Sequence, residues 1–216
     1  MSRASAWLRS LPALFDRGVK LLSERAAGGD AAARARLDDV MGARGCALFR
    51  MQAEPDLWLA VEEGRMTMHE GRPGLLPVRL AVAVSAADLD ALVDWLTPHA
   101  TSDAADERAA VRATALASAT FERLIGTAPV LGELRVVDTP DERDVCVRFA
   151  LGADEPPTRP PFTASIAYDD LVAMRDGRLD VGQAVLSQRI RLAGDYSRAL
   201  QLAMQIMALR PRAGRR

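Results

Sequence analysis

The sequence predicts an α+β protein in which helices cover a mostly antiparallel sheet. Apolar residues recur at the spacing of helices near both ends of the chain, and they alternate at the spacing of strands between those ends. In addition, 49% of the 216 residues are hydrophobic, which suffices for one large domain or two small domains with their own cores.

The chain opens with a predicted amphipathic leader helix in residues 1–29. Its apolar residues recur at helical spacing, and its basic residues occupy the other faces. The apolar residues are Trp7, Leu8, Leu11, Leu14, Phe15, Val19 and Leu22. Pro12 either bends this helix or confines it to the residues that follow. Such a segment either lies in a membrane interface or, more commonly, closes over the protein's own core.

A second helix and four strands follow the leader. Asp30 predicts the N-cap of a helix that reaches Met41. The periodicity then changes to that of strands, and Glu63-Gly64 predicts a tight hairpin turn. The predicted strands cover residues 46–51, 56–61, 65–69 and 78–84.

The middle of the chain contains two helices and a second pair of strands. One helix begins near Asp88-Leu89, and a single long alanine-rich helix follows, capped by Ser102 or Asp103 and ended by Gly126. The next predicted strands cover residues 133–137 and 145–151, and a proline-rich surface loop covers residues 156–161.

The remaining residues predict a strand, two short helices, a second strand and a last helix. The residues that define these elements are Phe162, Ala164 and Ile166 for the first strand, Leu171, Met174 and Gly177 for the first helix, Asp180 for the cap of the second helix (residues 181–186), Ile190 and Leu192 for the second strand, and Gly194-Asp195 for the turn and the cap of the last helix.

The last helix carries an apolar stripe, with further apolar residues beside it. The stripe consists of Tyr196, Leu200, Met204 and Met207, and the residues beside it are Leu202, Ile206 and Leu209. Methionine side chains adapt to irregular contents, so we interpret the stripe as the wall of an apolar interior. That interior is either a filled core or a cavity, because both need inward apolar side chains.

This order of elements resembles the C-terminal half of the sterol carrier protein 2 family. The motifs that carry the resemblance are Asp170-Leu171, Gly177, Leu179-Asp180, Ala184 and Gly194-Asp195. Members of that family usually have a glycine shortly before the second strand, where this chain has Ser187-Gln188. Residues 58–71 and 78–92 are similar to the first half of such a domain, with Asp88-Leu89 in place of its Asp-Leu pair.

The resemblance implies a non-catalytic protein that binds a hydrophobic small molecule, such as a lipid, sterol-like, acyl or isoprenoid compound, and carries or presents it. Some bacterial members of the family are accessory factors in ubiquinone synthesis, so a biosynthetic protein partner is also expected. We predict neither a cofactor nor a metal. The residues expected around the apolar pocket are Phe162, Ile166, Leu171, Met174, Val185, Ile190, Leu192, Tyr196, Leu200, Met204 and Met207.

The chain also contains a candidate internal repeat. Residues 78–94 and 162–177 each predict a strand followed by a helix that begins near an acidic residue and a leucine. Two copies would cover residues 30–126 and 127–216, with the long helix replacing the last strand and helix of the first copy. Alternatively, the chain forms one enlarged domain and the repeat is an accident of short motifs. Both arrangements fit the sequence.

Composition and motifs disfavour several function classes. Because 28 Lys and Arg residues balance 29 Asp and Glu residues and only 5% of residues are aromatic, a nucleic-acid-binding role is not expected. Cys46 and Cys146 lie far apart in apolar runs, which argues against a disulfide scaffold or a zinc site. The chain lacks a phosphate loop, a dinucleotide fingerprint and a nucleophile elbow. Without an apolar run of membrane-spanning length or a secretion signal, we predict a cytoplasmic protein.

Three alternative roles accompany the ligand-binding hypothesis. One is a scaffold whose methionine-rich helices bind another protein. A second is a cofactor-independent isomerase or cyclase that uses Tyr168, Tyr196, Asp195 and His69. A third is peripheral membrane contact, through the leader helix or the arginine-rich tail after Leu209.

Overall fold

The computed structural model describes residues 2–97, 103–125 and 128–209, with only the backbone of residues 103–105 and 206–209. The predicted caps Ser102 and Gly126, the histidine at position 99 and the arginine-rich tail lie outside the described residues.

Helices and strands alternate along the described chain in the way an α+β fold requires. The helices are α1 (Arg3–Ala27), α2 (Ala31–Met41), α3 (Ala86–Leu96), α4 (Asp103–Ala113), α5 (Ala119–Ile125), α6 (Tyr168–Arg175), α7 (Val181–Leu186) and α8 (Ser197–Leu209). The strands are β1 (Gly45–Met51), β2 (Leu57–Glu62), β3 (Arg65–His69), β4 (Val78–Val84), β5 (Val130–Val137), β6 (Val145–Leu151), β7 (Phe162–Ala167) and β8 (Ile190–Gly194).

All eight of these strands form one sheet, in the order β3-β2-β1-β4-β6-β5-β7-β8. Five of its seven pairings are antiparallel, and the pairings β1·β4 and β5·β7 are parallel. The prediction of an α+β protein with a mostly antiparallel sheet is therefore confirmed.

The two halves of the sheet follow the same order of pairings. In the first half, the β1–β2 hairpin is followed by β4, which lies parallel to β1 and leads into α3. In the second half, the β5–β6 hairpin is followed by β7, which lies parallel to β5 and leads into α6. The pairing of β4 with β6 joins the halves into one sheet. The domain boundaries drawn from the sequence stay a prediction.

The two faces of the sheet differ in what covers them. Phe49, Leu59 and Val82 point to the face on which α1 and α3 pack. Leu48 and Trp58 point to the opposite face, where they are buried in a cluster against which the loop residues Leu76 and Ala153 pack. Because successive side chains of a strand alternate between faces, this division follows directly from the apolar pattern of β1 and β2.

Helix α1 is part of the core of the first half. Leu8 and Phe15 are completely buried, and they pack against the apolar residues of β2 and β3. The helix continues through Pro12 from its cap at Ser2. Of the two alternatives for the leader, closure over the protein's own core is therefore correct. In the part of the chain that the structure describes, no helix is both long enough and apolar enough to cross a bilayer.

Several predicted caps are present in the structure. The carboxylate of Asp30 accepts hydrogen bonds from the first turn of α2, and that of Asp180 does the same for α7. Asp195 accepts a bond from the backbone N–H of Ser197 at the start of α8. Gln188 has a φ of 59°, so it occupies the left-handed region that a glycine adopts more readily.

The single long helix predicted for residues 103–126 is wrong. After α4 the chain makes a 3-10 turn at Thr114–Leu116 and then starts α5. Thr114 is fully buried, and its hydroxyl donates a hydrogen bond to the carbonyl of Val111 at 2.7 Å. The hydroxyl of Ser118 accepts a bond from the N–H of Phe121 at 3.0 Å and so caps a new helix. Side-chain hydrogen bonds to the backbone therefore divide the segment.

Candidate ligand-binding cavity

The residues expected to line one pocket beneath the last helix lie in three different environments. Phe162 packs in a core cluster with Leu202. A second cluster, around Trp95, contains Ile166, Leu171, Met174 and Ile190. A third set is exposed and consists of Tyr196, Leu200 and Met204. Val185 and Leu192 are half-buried, and the side chain of Met207 lies outside the described residues.

The orientation of α8 explains why that expectation needs correction. Leu202 is only 7% exposed and packs against the sheet and α5, whereas Leu200 is 42% and Met204 64% exposed. The stripe that we assigned to the interior therefore faces solvent, and the residue beside it points inward. An apolar residue lies on nearly every side of this helix, so its periodicity gives no unique inward face.

A partly open apolar cavity lies instead in the first half of the molecule. Its volume is about 170 Å³. It lies between the helix-covered face of the sheet on one side and the 3-10 turn and α5 on the other. Its apolar walls include Phe49, Leu59, Val61, Met66, Leu80, Leu116, Phe121 and Leu151. Strands β1 to β4 and β6 supply the floor, so the cavity is built by residues that are distant in sequence.

A β-bulge brings an arginine to the cavity. Cys46 pairs with Val78 and Ala47 pairs with Leu80, so Arg79 has no counterpart on β1. Regular alternation would place Arg79 and Leu80 on opposite faces of the sheet, yet both line the cavity. A bulge inserts one extra residue and redirects its side chain, which accounts for this arrangement.

The polar end of the cavity is formed by an incompletely bonded ion pair. Nε of Arg79 lies 3.7 Å from Oε2 of Glu122, which is too long for a hydrogen bond. That oxygen instead accepts the backbone N–H of Arg44 at 2.9 Å. Nε of Arg79 is buried and has no hydrogen-bond partner among the described residues. The cavity is thus apolar with one unsatisfied donor at its edge.

Gly45 is required for this position of Arg79. A Cβ at residue 45 would lie 2.4 Å from Cγ of Arg79 and 3.1 Å from the carbonyl oxygen of Pro77. These distances are shorter than van der Waals contact, so the absence of a side chain at Gly45 leaves the space that the arginine stem occupies.

Helix α5, which closes the cavity, is held by Asp39 of α2. The carboxylate of Asp39 accepts the backbone N–H of Thr120 at 2.8 Å. Burial alone raises the pKa of Asp39, but hydrogen bonds from Ser118 and Thr120 and the nearby charge of Arg36 outweigh it. The pKa of Asp39 is therefore lower than usual, which means that the fold stabilises the ionised form.

We expect Asp39→Asn to lower the free energy of unfolding at neutral pH by about 0.5–1.5 kcal/mol. A carboxyl group with a lowered pKa stabilises the fold above its unfolded pKa, and this contribution disappears as the pH falls through the folded pKa. The difference in the free energy of unfolding between wild type and variant, measured by urea unfolding, should therefore shrink at acidic pH. Asp38→Asn is the matched control, because Asp38 is exposed. A difference that is independent of pH would contradict this role.

The residues proposed for catalysis do not come together. His69 lies on β3 and Tyr196 follows β8, and these strands are the two opposite edges of the sheet. Seven strand intervals separate the edges by roughly 30 Å. Tyr168 packs edge-on against Trp95 with ring centroids 5.1 Å apart. The isomerase or cyclase hypothesis therefore loses the constellation on which it was based.

Comparisons with known proteins give no further assignment. No family model matches the chain, and no curated protein matches it significantly. The resemblance to the sterol carrier protein 2 family, the ligand-binding role and the scaffold role consequently stay predictions.

Cysteine and acidic side chains suggest no separate site. Both thiols are free, and burial raises the pKa of Cys46 and of Cys146. Among the described residues, histidine, cysteine and acidic side chains do not gather into a group of three that could hold a metal ion.

Sequence reasoning missed the two charged residues at the cavity. Arg79 belongs to a strand whose apolar alternation is otherwise regular, and Glu122 is one acid in the first turn of a helix, where acids are common. The sequence feature connected with this site is the pair Gly45 and Arg79. These residues are recognised as neighbours only once the pairing of β1 with β4 is known.

Proposed function

We propose that the protein binds a small hydrophobic molecule with a polar end in the cavity between its sheet and α5. The observation that supports this function is the partly open apolar cavity of about 170 Å³ with the unbonded Nε of Arg79 at its edge. An apolar space of this kind is the usual form of a small-molecule site, since a few polar groups then fix the orientation of the ligand.

The size of the cavity limits the part of a ligand that it holds. A dry cavity of about 150 Å³ in another protein admits one benzene molecule. The cavity beneath α5 therefore has room for one ring or a short alkyl segment. A longer acyl or isoprenoid compound would extend past Leu116, which is 52% exposed in the 3-10 turn.

The chemistry of the cavity favours a ligand with a hydrogen-bond acceptor. A buried donor without a partner costs about 1–3 kcal/mol, and a carboxylate or carbonyl oxygen beside Arg79 would remove that cost. Burial of the apolar part adds roughly 25 cal/mol for each Å² removed from water. We propose that the protein carries or presents such a molecule in the cytoplasm, to a biosynthetic partner.

The experiment compares two ligands that share an alkyl chain. Hexanoate and hexanol are titrated calorimetrically into wild-type protein and into the variants Arg79→Met and Ala47→Leu. Arg79→Met should remove the preference for hexanoate over hexanol, because hexanoate loses about 1.5–3 kcal/mol of binding free energy. Ala47→Leu fills part of the cavity and should weaken both ligands about tenfold.

The controls change the same residue types away from the cavity. Arg65 and Ala83 do not line it, so Arg65→Met and Ala83→Leu should leave both affinities unchanged. Mass spectrometry of molecules extracted from the purified protein identifies a natural occupant. Absence of a bound apolar molecule, together with no heat from either ligand, would refute the function.

A further inference from the structure

The two edges of the sheet differ in how well they are covered. At the edge formed by β3, the strand packs under α1, and Met66 is only 4% exposed. At the edge formed by β8, Arg191, Ala193 and Gly194 are exposed. An open edge presents backbone N–H and C=O groups that another strand can pair with. The edge at β8 is therefore the place where the sheet can be extended.

The pairing of β8 with β7 determines which of its backbone groups point outward. The N–H of Asp195 donates a hydrogen bond to the carbonyl of Pro161 at 3.0 Å, one residue beyond the end of the strand. Bonded and unbonded pairs alternate along an antiparallel ladder, so the backbone groups of Ile190, Leu192 and Gly194 point away from β7. Among the described residues, these N–H and C=O groups have no hydrogen-bond partner.

An uncovered apolar surface of α8 borders the same edge. Tyr196, Leu200 and Met204 are exposed and follow each other at intervals of four. They line one open groove together with Gly194 of β8. A strand added beside β8 would lie next to this groove and would remove part of its apolar surface from water.

We propose that two copies of the chain join through their β8 strands, paired antiparallel so that Leu192 lies opposite Leu192 of the second copy. This register pairs all five residues of both strands. The three residues whose backbone groups point outward then form three bonded pairs, each with two hydrogen bonds. The two-fold axis of such a contact is perpendicular to the sheet, so both α8 helices lie on the same face of the continuous sheet.

Charge supports this register. It places Asp195 of each copy opposite Arg189 of the other, so an acid faces a base at both ends of the paired strands. Arg191 lies opposite Ala193, which carries no charge. Arg189 also donates a hydrogen bond to Asp170 at 2.6 Å, and its guanidinium has further N–H donors. A pairing centred on Arg191 would instead set two arginines against each other, which opposes association.

Sedimentation equilibrium of the full-length protein over a range of concentrations tests the proposal. Wild type should be a dimer. Ala193→Arg sets two arginines opposite each other twice in the contact, so the dissociation constant of the dimer should rise at least about tenfold. Adding Arg191→Glu to this variant places a carboxylate opposite the introduced arginine and should restore the dimer. Circular dichroism checks that each variant is folded.

The matched control is Thr67→Arg, because Thr67 is exposed on the strand at the opposite edge of the sheet. This variant should form dimers like wild type. The proposal is overturned if wild type is monomeric at every concentration, or if Ala193→Arg forms the dimer undiminished. A dimer that Thr67→Arg separates would place the contact at β3 and would overturn it as well.

Discussion

Gly18→Ala will lower the free energy of unfolding by about 2–3 kcal/mol. Helix propensity alone predicts that this substitution raises the free energy of unfolding, because alanine is more favourable than glycine inside a helix by about 0.8–1.0 kcal/mol. A Cβ at Gly18, however, would lie 2.1 Å from the carbonyl oxygen of Ala110 and 2.7 Å from Cγ2 of Thr114. A backbone oxygen cannot rotate aside, so α1 and α4 must separate, and the steric cost exceeds the gain.

Urea unfolding followed by circular dichroism measures this difference. Gly71→Ala serves as the control, because a Cβ there meets no atom within 4 Å, and its effect should stay within about 0.5 kcal/mol. A Gly18→Ala protein as stable as wild type would show that α1 and α4 do not meet at this point.

The contact at Gly18 also connects the leader helix with the cavity. Thr114 lies where α4 ends and the 3-10 turn begins, and the following residues Ala115 and Leu116 line the cavity. Separation of α1 from α4 would therefore displace one wall of the site. From the sequence, the leader helix could lie in a membrane interface or close over the core. In the structure it supports one wall of the cavity.

The strands were predictable from sequence because their patterns are local. Strands β3, β4 and β6 have the bounds that alternation predicts, and β5 starts three residues earlier than expected, at Val130. Gly132 interrupts the apolar alternation there, and the space at this glycine is taken by the ring of Phe162 from a neighbouring strand. A tertiary contact of this kind leaves no trace in the periodicity.

The site was not predictable because it depends on register. The bulge at Arg79 arises from the pairing of β1 with β4, and the inner face of α8 is selected by the packing of Leu202. Both are choices among alternatives that the apolar pattern allows equally. The break at Thr114, by contrast, has a local cause, since Thr114 and Ser118 bond to nearby backbone groups.

Phe162→Ala will lower the free energy of unfolding by about 3–5 kcal/mol. From the sequence we predicted that Phe162 lines the ligand pocket. Its side chain is instead 6% exposed and packs edge-on against Phe149, with ring centroids 6.0 Å apart. The ring also closes the space above Gly132, where a Cβ would lie 2.5 Å from it. A residue that only touched a ligand would cost affinity and little stability when truncated, whereas this one supports the core.

The glycine offers a sharper form of the test. Gly132→Ala alone clashes with the ring of Phe162, lies 3.0 Å from Cζ of Phe149, and should destabilise by about 1–3 kcal/mol. In the Phe162→Ala background the new methyl group enters vacated space, so most of that cost should disappear. The two changes will therefore be strongly non-additive in a double-mutant cycle of unfolding free energies. Additive effects would contradict the contact between Gly132 and Phe162. Loss of hexanoate binding in folded Phe162→Ala protein would instead indicate that Phe162 belongs to the ligand site, because the cavity under α5 does not include it.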